Sequence, residues 1–221
     1  MFDFDGLIAD TEGPEFDSWS EEFQHHGVSL TLDEWIQCVG AGQDVWDVFV
    51  HLESLVGTPL HREQVTVRRR ERFMEMTADI APMPGVAGLL DQARDSAVPL
   101  GIASSSSGEW VRGYLRRFGL ADRFQAVVTR DMVHRPKPDP ELYLAACARL
   151  GAAPAMSVAL EDSVNGVSAA LSAGMVCIAV PNRITWDFDL TSAHMVASSL
   201  VDLNLERIEG LVSRVSGTAR S

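Results

Sequence analysis

Residues 158–180 read VALEDSVNGVSAALSAGMVCIAV, a stretch in which two short apolar runs enclose a helical pattern. The runs at residues 158–160 and 176–180 are uncharged and rich in small or β-branched side chains, which is typical of strands buried on both faces. Between them, apolar residues recur at helical spacing until Gly174, and glycine often ends a helix. This order predicts a parallel β-α-β unit with a right-handed crossover.

The same alternation extends upstream to about residue 98. Apolar runs at residues 98–103 and 126–129 are each followed by a polar turn and a helical pattern. The two helical patterns end at Gly119 and Gly151. The sequence therefore predicts an α/β fold with a doubly wound, parallel, Rossmann-like sheet, in which ligands bind at the carboxyl ends of the strands.

Residues 10–81 carry helical patterns without a recognisable buried strand. Apolar residues at helical spacing predict four helices in this segment, the third of them starting near Val45. We assign residues 1–9 and 82–221 to the α/β core domain and residues 10–81 to an inserted, all-helical cap domain. Helical inserts of this kind often act as lids that exclude water.

The charge and cysteine content narrow the possible partners and the compartment. The 221-residue chain has 18 Lys+Arg against 31 Asp+Glu, a formal net charge of −13, which argues against nucleic acid and anionic membranes as partners. A phosphate ligand is still permitted, because one site can be locally positive. The cysteines Cys38, Cys147 and Cys177 suit a reduced compartment. Since no signal-peptide pattern opens the chain and polar residues interrupt the uncharged stretch 163–182, we expect a cytoplasmic protein.

Two aspartates near the start of the chain, Asp3 and Asp5, lie two residues apart at the end of a short apolar segment. Carboxylates this close oppose joint ionisation unless a cation lies between them or one of them holds a proton. One can then act as a nucleophile and metal ligand, and the other as a proton donor and acceptor. The sequence Asp-x-Asp-Gly is also common in turns, so this motif alone leaves both interpretations open.

Serines and a lysine follow two further predicted strands. The serines at residues 104–107 can form an anion cradle at a helix N-terminus, or they can merely cap that helix. Lys137 lies between two prolines that restrict the position of its ammonium group, although ordinary proline-rich turns look similar. A fixed cation near the paired carboxylates would offset charge repulsion when an anionic substrate arrives.

A second pair of acids, Glu161 and Asp162, follows the run at residues 158–160. Acids at the end of a buried strand are costly without a cation, and oxygen ligands of this kind select Mg²⁺. Acids also favour a helix N-terminus, so both roles stay open. Because parallel strands bring all four motifs to one edge of the sheet, together they predict phosphoryl transfer through an aspartyl phosphate at a Mg²⁺ site.

The four motifs, in this order, resemble those of the haloacid dehalogenase-like hydrolase superfamily, and more narrowly its β-phosphoglucomutase/phosphoglycolate phosphatase branch. The segments that carry the resemblance are DFDGLIADT (residues 3–11), ASSS (103–106), KPDP (137–140) and EDSVNG (161–166). Members that dehalogenate lack the second aspartate of the first motif, and Asp5 is present here, so dehalogenation is not expected.

The resemblance implies a role for each core motif residue. Asp3 is the implied nucleophile, and Asp5 is the implied general acid and base. The transferring phosphoryl group is assigned to Ser104 and Lys137, to which we add the neighbouring Ser105. The implied Mg²⁺ ligands are Asp3, the main-chain carbonyl of Asp5 and Asp162, with Glu161 in or beside the metal shell.

Two cap positions depart from the mutases of this branch. A histidine follows the threonine of the first motif by four residues in those enzymes, and that position holds Glu15 here. A cap arginine of the mutases falls on Gln43. Both changes weaken the mutase hypothesis, because a mutase must hold a second phosphate in the cap. Arg68, Arg69 and Arg70 could still supply a cation, although a run of three arginines on a helix is usually a solvated face. The candidate substrate contacts in the cap are Thr11, Glu15, Gln43 and Arg69.

The sequence thus predicts a Mg²⁺-dependent phosphatase for a small phosphorylated metabolite such as a sugar phosphate, acting as a monomer or small homo-oligomer. A β-phosphoglucomutase-type isomerase is the first alternative. A non-catalytic binding protein on the same fold is the second, because only Met1 and Phe2 precede Asp3 where family members carry several apolar residues. We therefore expect a short central strand or a native start upstream of Met1.

Overall fold

The structure is a computed structural model that describes residues 1–41 and 47–218, and within these ranges the side chains of residues 37–41 and 218 are not considered. The chain divides into two compact units, one formed by Met1–Ala9 with Ala81–Ser221 and the other by Asp10–Ile80. We refer to them as the core unit and the cap unit, and each is described by itself.

The described part of the cap unit is helical. Its helices are α1 (Glu12–His25), α2 (Leu32–Ala41), α3 (Val48–Val56) and α4 (Arg62–Met76). The side chain of Asp47 caps α3 by accepting hydrogen bonds from two main-chain amides, so this helix begins at Val48. The predicted start near Val45 lies outside the described residues. Buried aromatic side chains form the interior of the unit, and Trp19 meets Phe49 edge-on with 5.1 Å between ring centroids.

The core unit contains a parallel sheet. Its strands are β1 (Gly101–Ser104), β2 (Ala126–Thr129), β3 (Val158–Glu161), β4 (Val176–Ala179) and β5 (Met195–Val196). β1 pairs with β2, β3 pairs with β4, and β4 pairs with β5. The predicted run at residues 98–103 began too early, because Val98 and Pro99 are exposed and proline has no amide hydrogen for a strand ladder.

Residues 1–3 join the two halves of this sheet. Phe2 forms parallel bridges to Ile102 of β1 and to Leu160 of β3. Its amide donates to the Gly101 carbonyl at 2.8 Å, and the Asp3 amide donates to the Leu160 carbonyl at 3.0 Å. The order across the sheet is β2, β1, residues 1–3, β3, β4 and β5, so the chain winds outward from the centre in both directions. The predicted doubly wound parallel sheet is confirmed.

Five α-helices belong to the described part of the core unit. They are α5 (Val86–Asp95), α6 (Gly108–Arg117), α7 (Glu141–Leu150), α8 (Val164–Ser172) and α9 (Leu205–Thr218). Three of them, α6, α7 and α8, follow β1, β2 and β3 as the alternation predicts. Short 3-10 turns occur at Ala121–Arg123, Arg130–Met132, Pro154–Met156 and Leu200–Asp202. Side chains of α7 and α8 pack with Ala103, Ala159 and Cys177 of the strands in one buried apolar cluster, which also holds Tyr143.

Cys147 and Cys177 are buried free thiols. Across residues 1–41 and 47–218, we find no helix with the length and apolar character needed to cross a membrane.

Candidate active site

The motif residues of the core unit gather where residues 1–3, β1 and β3 end. Asp3 follows the bridged residue Phe2, Ser104 is the last residue of β1, and Glu161 is the last residue of β3. Asp3, Ser104, Glu161 and Asp162 are all buried. Parallel strands that end at one edge thus place polar side chains from distant parts of the sequence beside one another.

Lys137 connects two of the buried carboxylates. Its Nζ donates to Asp3 Oδ1 and, at 2.6 Å, to Glu161 Oε1. Burial raises the pKa of the Asp3 carboxyl to about 7; the Lys137 ammonium opposes that rise, whereas the Glu161 and Asp5 carboxylates add to it. Burial alone would lower the pKa of Lys137, but the carboxylates of Asp3 and Glu161 raise it above its ordinary value. Lys137 therefore remains a cation inside the site.

Glu161 is held by more than the lysine. The Tyr143 hydroxyl donates to Glu161 Oε1 at 2.5 Å, and Ser163 Oγ donates to Oε2 at 3.4 Å. Burial, together with the nearby Glu161 carboxylate, raises the pKa of Tyr143 well above its ordinary value, so the phenol stays a donor. The Lys137 ammonium also lies 5.0 Å from the centroid of the Tyr143 ring. Tyr143 was not predicted as a site residue, because it has the spacing of an ordinary buried residue on α7.

Gly166, in the first turn of α8, leaves the space that the Glu161 carboxylate occupies. A Cβ placed at Gly166 would overlap the carboxylate, whereas one at Gly113, inside α6, would meet no atom within 4 Å. We expect Gly166→Ala to lower the free energy of unfolding by about 1–3 kcal/mol through overpacking. Gly113→Ala is the matched helical control and should raise it by about 0.5–1 kcal/mol. Denaturant unfolding followed by circular dichroism measures both, and stabilisation of both variants would contradict the packing of Glu161.

Three buried carboxylates form a group that could hold a metal ion. Asp3, Glu161 and Asp162 each offer an oxygen, and these oxygens lie within 4.8 Å of one another. Hard carboxylate oxygens are the donors that Mg²⁺ and Ca²⁺ prefer, so the donor set fits a divalent cation of this kind.

Asn182 connects the first motif to the fourth. Its Nδ2 donates to Asp162 Oδ2 at 2.7 Å and to the Gly6 carbonyl at 3.1 Å. Gly6 has a φ of +75°, and a Cβ at this position would overlap the Asp162 carboxylate. The first motif therefore requires glycine here for both backbone conformation and space. Asn182 was not predicted as a site residue, although its place shortly after β4 puts it at the same edge of the sheet.

Asp5 is bound by side chains from the segment that follows β1. Ser106 Oγ donates to Asp5 Oδ2 at 2.7 Å, and Trp110 Nε1 donates to Oδ1 at 2.8 Å. Ser104 Oγ lies 3.5 Å from Oδ2. The two acids of the first motif thus differ in these partners, since Asp3 accepts from the Lys137 ammonium and Asp5 accepts from an indole and a serine hydroxyl.

The serines of the second motif have different positions. Ser107 caps α6 by accepting from the Trp110 amide, so the capping alternative holds for this residue. The Ser104 side chain is buried in the site, whereas Ser105 is exposed. Phosphate binding by Ser105 stays a prediction. Ser106 was predicted only as a member of the serine run at residues 104–107, and Trp110 was not predicted as a site residue because its spacing is that of an ordinary helical residue.

The cap candidates are placed within their own unit. Arg69 Nη1 donates to Glu15 Oε2 at 2.5 Å, and the guanidinium lies 5.3 Å from the centroid of a Trp19 ring. Arg68 pairs with Glu22, so two of the three arginines face carboxylates of α1. Thr11 directly precedes α1, and Gln43 lies outside the described residues. Substrate contact by these four residues stays a prediction.

Comparison with known proteins identifies the class of the chain. The family model described as Haloacid dehalogenase-like hydrolase matches residues 1–180. The chain belongs to this family and is a hydrolase, which confirms the resemblance drawn from the four motifs.

Individual proteins of known name or structure are similar to the chain over most of its length. A Bacillus subtilis protein named "Putative phosphatase YhcW" is 44% identical over 185 residues, which are 84% of this chain and 84% of that protein. A hydrolase of the family from Deinococcus radiodurans, with bound phosphate and sodium, superposes with a TM-score of 0.79 at 29% identity over 95% of both chains. CbbY from Rhodobacter sphaeroides, a mutant in complex with xylulose 1,5-bisphosphate, has a TM-score of 0.70 at 28% identity over 92% of this chain and 94% of its own.

Proposed function

We propose that the protein is a Mg²⁺-dependent phosphatase that hydrolyses a small phosphorylated metabolite through an aspartyl phosphate on Asp3. The observation that carries the proposal is the contrast between the two acids of the first motif. Asp3 lies buried in a group of carboxylates against the Lys137 ammonium, whereas the two carboxylate oxygens of Asp5 accept from Trp110 Nε1 and Ser106 Oγ. Two carboxylates in different environments can divide the work of nucleophile and of general acid and base.

The first step transfers the phosphoryl group to Asp3. A carboxylate oxygen of Asp3 attacks phosphorus and forms an O–P bond, while the bond from phosphorus to the leaving oxygen breaks. Asp5, protonated at this stage, gives its proton to the leaving oxygen, so that the product departs as a neutral alcohol. Lys137, with Ser104 and Ser105, would bind the phosphoryl oxygens as the negative charge moves.

The second step returns the site to its starting state. Asp5, now a carboxylate, takes a proton from a water molecule while the water oxygen bonds to phosphorus. The bond between phosphorus and Asp3 then breaks and releases inorganic phosphate. Asp3 is again a carboxylate and Asp5 is again protonated, so that atoms and charge balance over the cycle.

The metal would be held by Asp3, Asp162 and the main-chain carbonyl of Asp5, with Glu161 in or beside its shell. When bound, Mg²⁺ would supply positive charge that offsets repulsion between these carboxylates and the phosphoryl oxygens. This chain's own contribution is to hold the oxygen donors close together and buried, through Asn182 on Asp162 and Lys137 on Asp3 and Glu161.

The proposed substrate is a sugar phosphate or a similar phosphomonoester. The xylulose 1,5-bisphosphate bound to CbbY and the phosphate bound to the Deinococcus hydrolase support this class of ligand. The net charge of −13 disfavours nucleic acid and anionic membranes, and buried free thiols at Cys147 and Cys177 suit the reducing cytoplasm.

Hydrolysis is favoured over the mutase alternative. Glu15 and Gln43 stand where the mutases have a histidine and an arginine, and the nearby cation of Arg69 is already paired with Glu15. The binding-protein alternative arose from the short first strand. It is weakened because backbone hydrogen bonds on both sides of residues 1–3 hold Asp3 at the site.

A phosphate-release assay over a panel of phosphorylated metabolites tests the proposal. We expect release of inorganic phosphate that chelation with EDTA removes and added Mg²⁺ restores, because the buried carboxylates then lack their cation. β-Glucose 1-phosphate with a bisphosphate primer is included in the panel, and conversion to glucose 6-phosphate would identify a mutase instead. A Mg²⁺-dependent thermal shift without turnover of any substrate would favour a binding protein, and turnover that survives chelation would exclude the metal requirement.

A further inference from the structure

The indole of Trp110 contacts the acid that the proposed mechanism uses for proton transfer. Its Nε1 donates to Asp5 Oδ1 at 2.8 Å, while Ser106 Oγ donates to Oδ2 at 2.7 Å. Both oxygens of one carboxyl group therefore have donors from the short segment between β1 and the first turn of α6. This arrangement fixes the plane of the carboxyl group as well as its position.

The Trp110 ring is itself held in place by aromatic packing. It meets Tyr114 edge-on with 4.6 Å between centroids, and Tyr114 is buried. Tyr114 in turn lies 6.2 Å from the ring of Phe4, which is the chain neighbour of Asp5. The indole and the carboxyl group are thus attached to the same packed cluster, so that their separation is set by the core of the unit.

The two groups that donate to Asp5 differ in their hydrogen-bonding capacity. An indole N–H donates and has no acceptor atom, whereas a serine hydroxyl can do both. While Trp110 donates to Oδ1, that oxygen cannot carry a proton directed at the indole. The indole therefore holds Oδ1 as an acceptor only, whereas the Ser106 hydroxyl at Oδ2 can adjust to either protonation state of Asp5.

We propose that Trp110 is a positioning residue whose hydrogen bond orients the Asp5 carboxyl group for proton transfer to the leaving group. The inference rests on the proposed function, since it concerns the step in which Asp5 protonates the leaving oxygen. Trp110 acts through Asp5 and has no contact with the reacting atoms in this account.

Two substitutions at this residue separate the hydrogen bond from the packing. Trp110→Phe removes the N–H and part of the ring. Replacement of Trp110 by benzothienylalanine keeps the size and shape of the indole but puts sulfur in place of the N–H. Trp186→Phe is the matched control, because Trp186 lies in the same unit, is 60% exposed and has no proposed role in the site. Thermal unfolding of each protein shows whether the fold is kept.

The readout compares two substrates at saturating Mg²⁺. An alkyl phosphate has a strongly basic leaving group that needs a proton, whereas p-nitrophenyl phosphate has a weakly basic one that needs little help. For the benzothienylalanine protein and Trp110→Phe, we expect kcat on the alkyl phosphate to fall about ten- to a hundredfold, with KM changed less than about twofold. On p-nitrophenyl phosphate, phosphorylation of the protein, followed as p-nitrophenolate release in a single turnover, should slow less than about threefold.

The outcomes distinguish the inference from the function beneath it. Equal losses on both substrates, or full activity of the benzothienylalanine protein, would overturn the positioning role while leaving the phosphatase in place. A loss of activity that appears only as a higher KM, with kcat unchanged, would overturn it as well. If wild-type protein released phosphate from neither compound nor from any sugar phosphate, the proposed function would fail, and the inference would fail with it.

Discussion

Asp3→Asn is expected to abolish phosphate release while the protein stays folded. The amide has the shape of the carboxyl group but cannot attack phosphorus, and loss of a nucleophile typically lowers kcat by about 10⁴-fold or more. The fold should persist because Lys137 keeps its hydrogen bond to Glu161, at 2.6 Å, when the side chain at position 3 becomes neutral. Steady-state release of inorganic phosphate measures the effect, with circular dichroism as the test of folding.

An acid elsewhere in the core unit provides the matched control for this change. Asp122 is exposed within the 3-10 turn Ala121–Arg123, and Asp122→Asn removes the same charge from the same type of side chain. We expect this variant to retain the wild-type rate. Near-normal phosphate release by Asp3→Asn, or a comparable loss in Asp122→Asn, would exclude Asp3 as the nucleophile.

Lys137→Met is expected to cost both stability and activity. The variant leaves the buried carboxylates of Asp3 and Glu161 without the cation that they share, and breaking a buried ion pair in this way costs about 3–5 kcal/mol. Loss of the ammonium group should also lower kcat by about 10²–10³-fold, because it would no longer stabilise the transferring phosphoryl group. Urea unfolding and phosphate release at saturating Mg²⁺ measure the two effects separately.

The choice of lysine at this position is informative. The sequence contains 17 arginines and a single lysine, and that lysine is Lys137. Lys137→Arg keeps the charge but replaces a compact ammonium with a planar guanidinium, so we expect it to recover part of the stability and little of the activity. Arg149→Met, at an exposed position of α7, is the control for loss of a cation and should change stability by less than about 0.5 kcal/mol. Lys137→Met with wild-type stability would contradict the buried pairing.

Most of the fold could be predicted because its periodicity is visible in the sequence. The runs at residues 126–129, 158–160 and 176–180 agree with β2, β3 and β4 to within a residue, since strands buried on both faces are uncharged. The central position of residues 1–3 was harder to see, because its ladder needs β1 and β3, which lie about a hundred residues or more away in the chain. A segment this short has no periodicity of its own.

The charged residues of the site could be predicted from the sequence, whereas the residues that are recognised only by their tertiary contacts could not. Acids at strand ends and a lysine between two prolines are unusual, so these residues could be identified without a structure. Tyr143, Asn182 and Trp110 fit ordinary helical or loop patterns, and only their tertiary contacts with Glu161, Asp162 and Asp5 reveal them. The single polar atom of Tyr143 or Trp110 does not change the helical pattern in which the residue lies, so the sequence gives no sign of its hydrogen bond.

The phosphoryl acceptor is the central claim, and chemical trapping tests it most directly. The protein is mixed with a substrate that it hydrolyses, and the reaction is quenched in acid during turnover. Borohydride then reduces any acyl phosphate to the alcohol. The peptide that carries Asp3 is examined by mass spectrometry. We predict that Asp3 is converted to homoserine in the wild-type protein and that the Asp3→Asn protein shows no such product. Conversion at another carboxylate, or turnover to phosphate with Asp3 unmodified at every quench time, would contradict the account.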